Sequence, residues 1–314
     1  MRPTSSTMRR LGLAAVVVNV GIVVTGAAVR LTASGLGCPT WPRCTGRSYT
    51  PEADIHGYIE FGNRMLTSVV SAVAIACIVA ALLQRPRRRP LLLLSCGLLA
   101  GVAAQALLGG VTVLTGLHPL TVAAHFLLSM PLIAAAVALH VRAGEPDGPA
   151  VSTVRRELRW LGRGLLACVA VTLALGTLVT GSGPHSGDEQ AQRLPFDPSS
   201  VSQLHADAVF LLLGLLVGYL LLARVTSAPP VVMRRATVLL GVTLAQGTVG
   251  YVQYFTGLPV VLVGLHVLGA TLVWVAALRL LLATRLRQHA DPPAGEPAPG
   301  GTSDDRIRDD VAIA

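Results

Sequence analysis

Apolar residues along this chain fall into eight long runs separated by short polar segments. The runs cover about 11–31, 57–83, 91–112, 119–141, 161–180, 203–223, 235–255 and 259–284. About 20 helical residues cross the hydrocarbon core of a bilayer, and each run meets or approaches that length. The pattern predicts an all-α integral membrane protein with eight transmembrane helices. The first run follows the short basic segment Met1–Arg10 and no small-residue cleavage site is evident, so it is expected as a spanning helix rather than a cleaved signal. Residues 286–314 are rich in Pro, Gly and Asp and are expected to be a disordered tail.

The runs repeat. Gln105–His125 aligns with Gln246–His266 at a constant offset of 141, pairing Gln105 with Gln246, Gly109 with Gly250, and Thr115-Gly116-Leu117 with Thr256-Gly257-Leu258. "VTGAAVRLTASG" after the first run echoes "VTGSGPHSG" after the fifth, and Asn63 falls opposite His205 at an offset of 142. The chain therefore reads as an N-terminal half (1–142), a linker (143–160), a C-terminal half (161–285) and the tail. Four spans per half is an even number, so both halves insert the same way up. They are expected to form tandem four-helix bundles related by a pseudo-two-fold axis along the membrane normal.

Charge orients the spans. Only 13% of residues are charged, far below a soluble domain, and all 25 basic residues are arginine. With the N-terminus inside, 20 of these arginines fall in inside segments, and only Arg43, Arg47 and Arg193 lie in outer loops. Arg30 and Arg64 sit near the outer ends of spans. This bias places both termini in the cytoplasm of a multi-pass cell-membrane protein. The net charge of +9 is spread in short blocks between apolar runs, which argues against nucleic acid as a partner.

The polar residues inside the spans carry the chemistry. Glu60, Asn63 and Arg64 share one helical face by their i, i+3, i+4 spacing, and that face must look into protein rather than lipid. A structural ion pair is the plain reading of Glu60 with Arg64. Of eight histidines, His125, His205 and His266 lie at one depth, near the outer ends of their spans. His205 and His266 can face each other across a four-helix bundle, the arrangement of bis-imidazole haem iron. Zinc would need further ligands than these two. The repeat puts Asn63 where a partner for His125 is expected, and Asn is a poor ligand for iron. That half then offers one protein ligand and an open position, suited to substrate chemistry, unless it is simply a degenerate copy. His56, His118 and His185 fall in or beside outer loops, His140 at an inner end and His289 in the tail.

Cys77, Cys96 and Cys168 lie within spans and read as small packing residues. Cys38 and Cys44 lie in "GLGCPTWPRCTG" on the outer side, where disulfides persist; a disulfide is favoured over two free thiols. The second outer loop, Gly181–Val201, reads as a polar cap over the bundle, with His185 and Asp188 in it.

Together these residues resemble the haem A synthase family. The resemblance rests on "VTGAAVRLTASGLGCPTWPRCTG" (24–46), "YIEFGNR" (58–64), "TGLHPLTVAAH" (115–125), "TGSGPHSGD" (180–188), "LHAD" (204–207) and "GLHVLGA" (264–270), and spans about residues 11–285. The family implies oxidation of a ring methyl of haem O to a formyl group, through hydroxylated intermediates, giving haem A for terminal oxidases. It implies a haem b on His205 and His266, a substrate haem on His125, and Glu60 near the reacting centre. It matches Cys38 and Cys44 to the family's outer-loop pair. The chain departs at Asn63, where the family has His. Asn63, Arg30 and Arg64 are candidates for contacting the substrate and its propionates. Haem O synthase and cytochrome oxidase assembly factors are implied as partners, alongside membrane lipid; self-association stays open. Two rivals remain: a dihaem membrane cytochrome for electron transfer, and a transporter.

Overall fold

The computed structural model describes residues 5–188 and 191–288. Eight helices make up most of it: α1 (Ser5–Leu31), α2 (Ile55–Leu83), α3 (Arg89–Leu114), α4 (Pro119–Ala143), α5 (Arg156–Ser182), α6 (Pro198–Val225), α7 (Pro230–Phe255) and α8 (Val260–Ala283). His289 and the tail beyond it lie outside the described residues. Seven helices are long and apolar enough to cross a membrane. The expected eighth span, α7, is as long but falls outside that set; it carries Arg234, Arg235, Gln246, Gln253 and three threonines.

Local sequence sets the helix ends. Proline stands in the first turn of α3, α4, α6 and α7, where its fixed φ suits the helix and its missing N–H costs nothing. Asp54 caps α2 by accepting from the Gly57 N–H at 3.0 Å. Asp197 caps α6, and hydrogen bonds from Ser199 and Ser200 hold its carboxyl below the usual carboxylate range. The two Thr-Gly-Leu turns fold alike. Gly116 and Gly257 take positive φ, and the N–H groups of Leu117 and Leu258 reach back five residues to Thr112 and Gln253.

Helix α1 packs on α2 and α4, and α3 on α2 and α4, closing a ring of four. In the same way α5 packs on α6 and α8, and α7 on α6 and α8, closing a second ring. The rings meet through α1 with α8, α4 with α5, and α4 with α8. Exchanging α1–α4 for α5–α8 maps this contact set onto itself. Within each ring α2 faces α4, and α6 faces α8, across a diagonal.

Lipid chains are as apolar as leucine, so close packing and hydrogen bonds must hold such helices together. One core joins Met130, Ile133 and Val137 of α4 to Leu216, Tyr219, Leu239 and Trp274 of the second ring. The Trp274 indole N–H donates to the Met130 carbonyl at 2.9 Å, beside Pro131, which interrupts the α4 hydrogen-bond ladder. A second core packs Met8, Cys77, Leu91, Leu98 and Leu139 in the first ring.

The far end of the bundle departs from the all-helical expectation. Residues 150–152 of the linker pair antiparallel with 285–287, at the start of the expected tail, in a two-stranded ribbon. Beside it Arg88 pairs with Asp147 at 2.6 Å and donates to the carbonyls of Arg142, Ala143 and Glu145. Two of those carbonyls belong to the last turn of α4, which has no helical donors for them. Arg142 also pairs with Asp147, and Arg287 of the ribbon pairs with Glu145 at 3.4 Å. Replacing Arg88 by Ala strips donors from three carbonyls and a carboxylate. We expect a loss of about 1–3 kcal/mol, measured by thermal unfolding in detergent. An unchanged melting temperature would mean that this cluster carries no stability.

Candidate functional site

At the end of the bundle that carries the Cys38–Cys44 loop, a cavity of about 670 Å³ runs between the two rings, with walls from all eight helices. Arg30, Glu60, Asn63, Arg64, His125, His205 and His266 all line it. One space thus collects residues from five different helices, far apart in sequence.

Each cavity histidine rests on a glycine of an adjacent helix. A Cβ built on Gly109 of α3 would lie 3.2 Å from the His125 ring; on Gly250 of α7, 3.0 Å from His266; and on Gly176 of α5, 3.3 Å from His205. A side chain there would crowd the imidazole, so the glycines let ring and neighbouring backbone approach closely. Glutamine supplies a second restraint. Gln105 donates to the His125 carbonyl at 3.1 Å, and Gln246 to the His266 carbonyl at 2.8 Å. The Gln–Gly–His match at offset 141 is thus one repeated structural device.

His205 and His266 stand on facing helices, with ring centroids 6.4 Å apart and planes at 69°. His205 Nδ1 lies 3.1 Å from the Thr172 carbonyl, so it carries the hydrogen and leaves Nε2 as the nitrogen with a free lone pair. His266 Nδ1 and His125 Nδ1 are buried with no protein partner. The separation of the two rings leaves room for one metal ion with a metal–nitrogen bond of about 2 Å on each side. The pair therefore fits a haem iron. Among the described residues no group of three or more His, Cys, Asp or Glu gathers as a metal cluster.

In the first ring Asn63 lines the same cavity as His125, but its amide oxygen is engaged. Thr25 of α1 donates to Asn63 Oδ1 at 2.8 Å. Arg30 donates to the Thr180 carbonyl of α5 at 2.6 Å, tying the two rings together, while its Nε is buried without a partner.

Glu60 is 5% exposed and both its oxygens are used. Oε2 accepts the Cys38 backbone N–H at 2.7 Å, and Oε1 accepts Arg64 Nη2 at 2.5 Å and Nε at 3.1 Å. Arg64 further donates to the carbonyls of Thr40, Arg43 and Cys38. Its five N–H groups are thereby committed to protein acceptors. The ion pair anchors the loop closed by the Cys38–Cys44 disulfide, which the structure contains. The loop in turn lays Trp41 flat over Gly110 of α3, at the wall of the cavity. Nothing in the periodicity of the chain points to Trp41. Its position between the two cysteines was the one available signal.

The other histidines among the described residues serve the fold. His56 bonds the Ser34 hydroxyl, His118 caps α4, His140 bonds the Arg9 carbonyl, and His185 bonds the Leu258 carbonyl. His185 sits in the second loop, which meets the first where the Gly35 N–H donates to the Gly187 carbonyl at 3.0 Å. Cys77 is buried, Cys168 half-buried and Cys96 exposed on its helix.

Fold and site define a multi-pass helical membrane protein with paired imidazoles at one end of the bundle. Residues 9–185 match the family model COX15-CtaA, described as cytochrome oxidase assembly protein. This chain belongs to that family. It is also similar to proteins named heme A synthase. The one from Alkalihalophilus pseudofirmus is 33% identical over 144 residues, 45% of this chain and 48% of that protein. Those from Lysinibacillus sphaericus and Symbiobacterium thermophilum are 33% and 31% identical, over 47% and 46% of their lengths. The chain spans about half the length of these curated relatives. His205 and His266 lie beyond the stretch that the family model matches.

The contact between Trp41 and Gly110 can be tested without any ligand. A Cβ on Gly110 would lie 2.5 Å from the indole, whereas one on Gly97 of the same helix meets nothing within 4 Å. Gly110→Leu is expected to lift the loop, so that a reductant cleaves the Cys38–Cys44 disulfide several-fold faster, read as thiol alkylation by mass spectrometry. Gly97→Leu should leave the rate unchanged. Equal rates in both variants would show that Trp41 does not hold the loop down.

Proposed function

We propose that this chain is a haem A synthase of the cell membrane, which oxidises a ring methyl of haem O to the formyl group of haem A. The observation that carries this reading is the His205–His266 pair, 6.4 Å apart across the second ring, with one nitrogen of His205 already fixed as a donor. Family membership and the heme A synthase relatives support it. A haem b held between these two residues would supply one-electron transfer.

The chain's own residues then divide the work. His125, seated on Gly109 and braced by Gln105, is the protein ligand for the substrate haem. Arg30 has a buried Nε without a partner in the cavity wall, which suits a propionate; Arg64, fully bonded, suits a structural role better. Glu60 is the only carboxylate among the described residues lining the cavity, and is the candidate proton acceptor. Its bonds to Cys38 and Arg64 tie that role to the position of the disulfide loop. The arginine bias supports a cytoplasmic side for both termini and an outer side for the cavity. Haem O synthase and oxidase assembly factors are the partners this activity implies.

The first test is reverse-phase chromatography of haems extracted from cells expressing the chain with a source of haem O. Haem A, or its hydroxylated precursor, is the expected product. Haem B with unconverted haem O, from folded protein, would favour the electron-transfer cytochrome instead.

Variants separate the two rings. His205→Ala or His266→Ala is expected to abolish the low-spin haem b spectrum, and an untouched spectrum would refute the ligand pair. Glu60→Gln is expected to lower product formation by at least tenfold, within the range of an acid–base contribution, with haem b retained. Full activity would remove Glu60 from the reaction.

A further inference from the structure

We propose that Asn63 is an oriented hydrogen-bond donor to a small diatomic or water-sized ligand on the open side of an iron held by His125, and that Thr25 sets its orientation. The inference rests on the reading above that a haem binds at His125. It concerns what the first ring does with the position where the second ring has a histidine.

Asn63 on α2 and His125 on α4 occupy the diagonal that His205 and His266 occupy on α6 and α8, at offsets of 142 and 141. In the second ring both positions carry an imidazole, and two imidazoles fill both axial sites of an iron. In the first ring His125 is the one imidazole of the pair: the Asn63 amide nitrogen has its lone pair delocalised into the carbonyl, and Oδ1 already accepts from Thr25. An iron held there by His125 would keep a position that no second imidazole fills, and the pocket on that side would decide what enters it.

The amide at Asn63 has a definite direction. A threonine hydroxyl has one hydrogen. Thr25 Oγ1 lies 2.8 Å from Asn63 Oδ1 and 3.2 Å from the Ile22 carbonyl, so the hydrogen goes to the shorter contact. With Oδ1 held, the NH2 group is the free end. It has no hydrogen-bond partner among the described residues, and the side chain lines the cavity. The nearby α1 position, Gly26, would bring a Cβ no closer than 4.0 Å to Nδ2, so α1 leaves that end uncrowded. A donor with nothing to donate to, beside an open metal position, fits a ligand that presents an acceptor atom. It does not fit an apolar or purely cationic one.

The test uses the purified full chain loaded with haem B, reduced and exposed to carbon monoxide, and reads the C–O stretching band. A donor touching bound carbon monoxide lowers that frequency. The wild type is expected to bind carbon monoxide at the first ring, and His125→Ala to lose that binding while the low-spin haem b spectrum persists. Asn63→Leu should move the band to higher frequency and weaken binding about fivefold, the equivalent of one hydrogen bond. Thr25→Val, which keeps the amide but frees it to turn, should split or broaden the band. Asn63→His should abolish binding by closing the site as a six-coordinate, low-spin iron. If carbon monoxide binding is absent from the wild type or indifferent to His125→Ala, the haem assignment at His125 fails. If binding needs His125 but the band is identical in wild type, Asn63→Leu and Thr25→Val, the haem assignment stands and the donor role of Asn63 is overturned.

Discussion

An imidazole placed among apolar helices can serve as a ligand only if something holds it in place from behind. In this protein that support is a glycine on an adjacent helix, used three times. Gly109, Gly176 and Gly250 let a backbone lie against the rings of His125, His205 and His266. Two of these seats gain a glutamine on the histidine's own carbonyl, and the third gains a carbonyl, that of Thr172, on the ring itself. Rotamer freedom is spent before any ligand arrives, which is what precise ligation requires. The cavity follows from the same feature, since rings packed against small residues face inward to a shared space.

The mouth of that space is irregular backbone, which is tolerated near lipid only when its polar groups find partners. Glu60 and Arg64 provide them. Glu60 takes the Cys38 N–H, and Arg64 takes the carbonyls of Cys38, Thr40 and Arg43. The disulfide shortens the loop, and Trp41 packs its inner face on Gly110. An ion pair that looks costly in an apolar helix is therefore satisfied by the loop it organises. The charge of Glu60 in the cavity wall and the architecture of the entrance are one network.

The rings share their contacts but not their chemistry. At the far end of the bundle the linker and the chain after α8 pair as a ribbon, and Arg88 with Arg142 and Arg287 binds Glu145 and Asp147. That cluster fastens the connection between halves away from the cavity. At the cavity end, His205 and His266 form a matched pair, whereas His125 faces an amide tied to α1. On the proposed reading, one ring would suit a closed electron-transfer centre and the other a centre that exchanges ligands.

Much of this was legible in the sequence because a bilayer leaves few options. Apolar length dictated the helices, and their ends agree with the runs to within about six residues. The constant offset of 141 marked the duplication, and the depth of His125, His205 and His266 marked the cavity. The cysteine spacing indicated the disulfide. The ribbon was invisible because three-residue pairing leaves no periodic signal. What only the tertiary structure decided was which polar atoms meet. Thr25 on Asn63, Arg30 on Thr180, Arg64 on the loop carbonyls and Trp41 on Gly110 join residues 21 to 150 positions apart. Hydrophobic periodicity is a property of one helix at a time. Hydrogen bonds between helices depend on the rotation and depth of both, and those are set only when the helices pack.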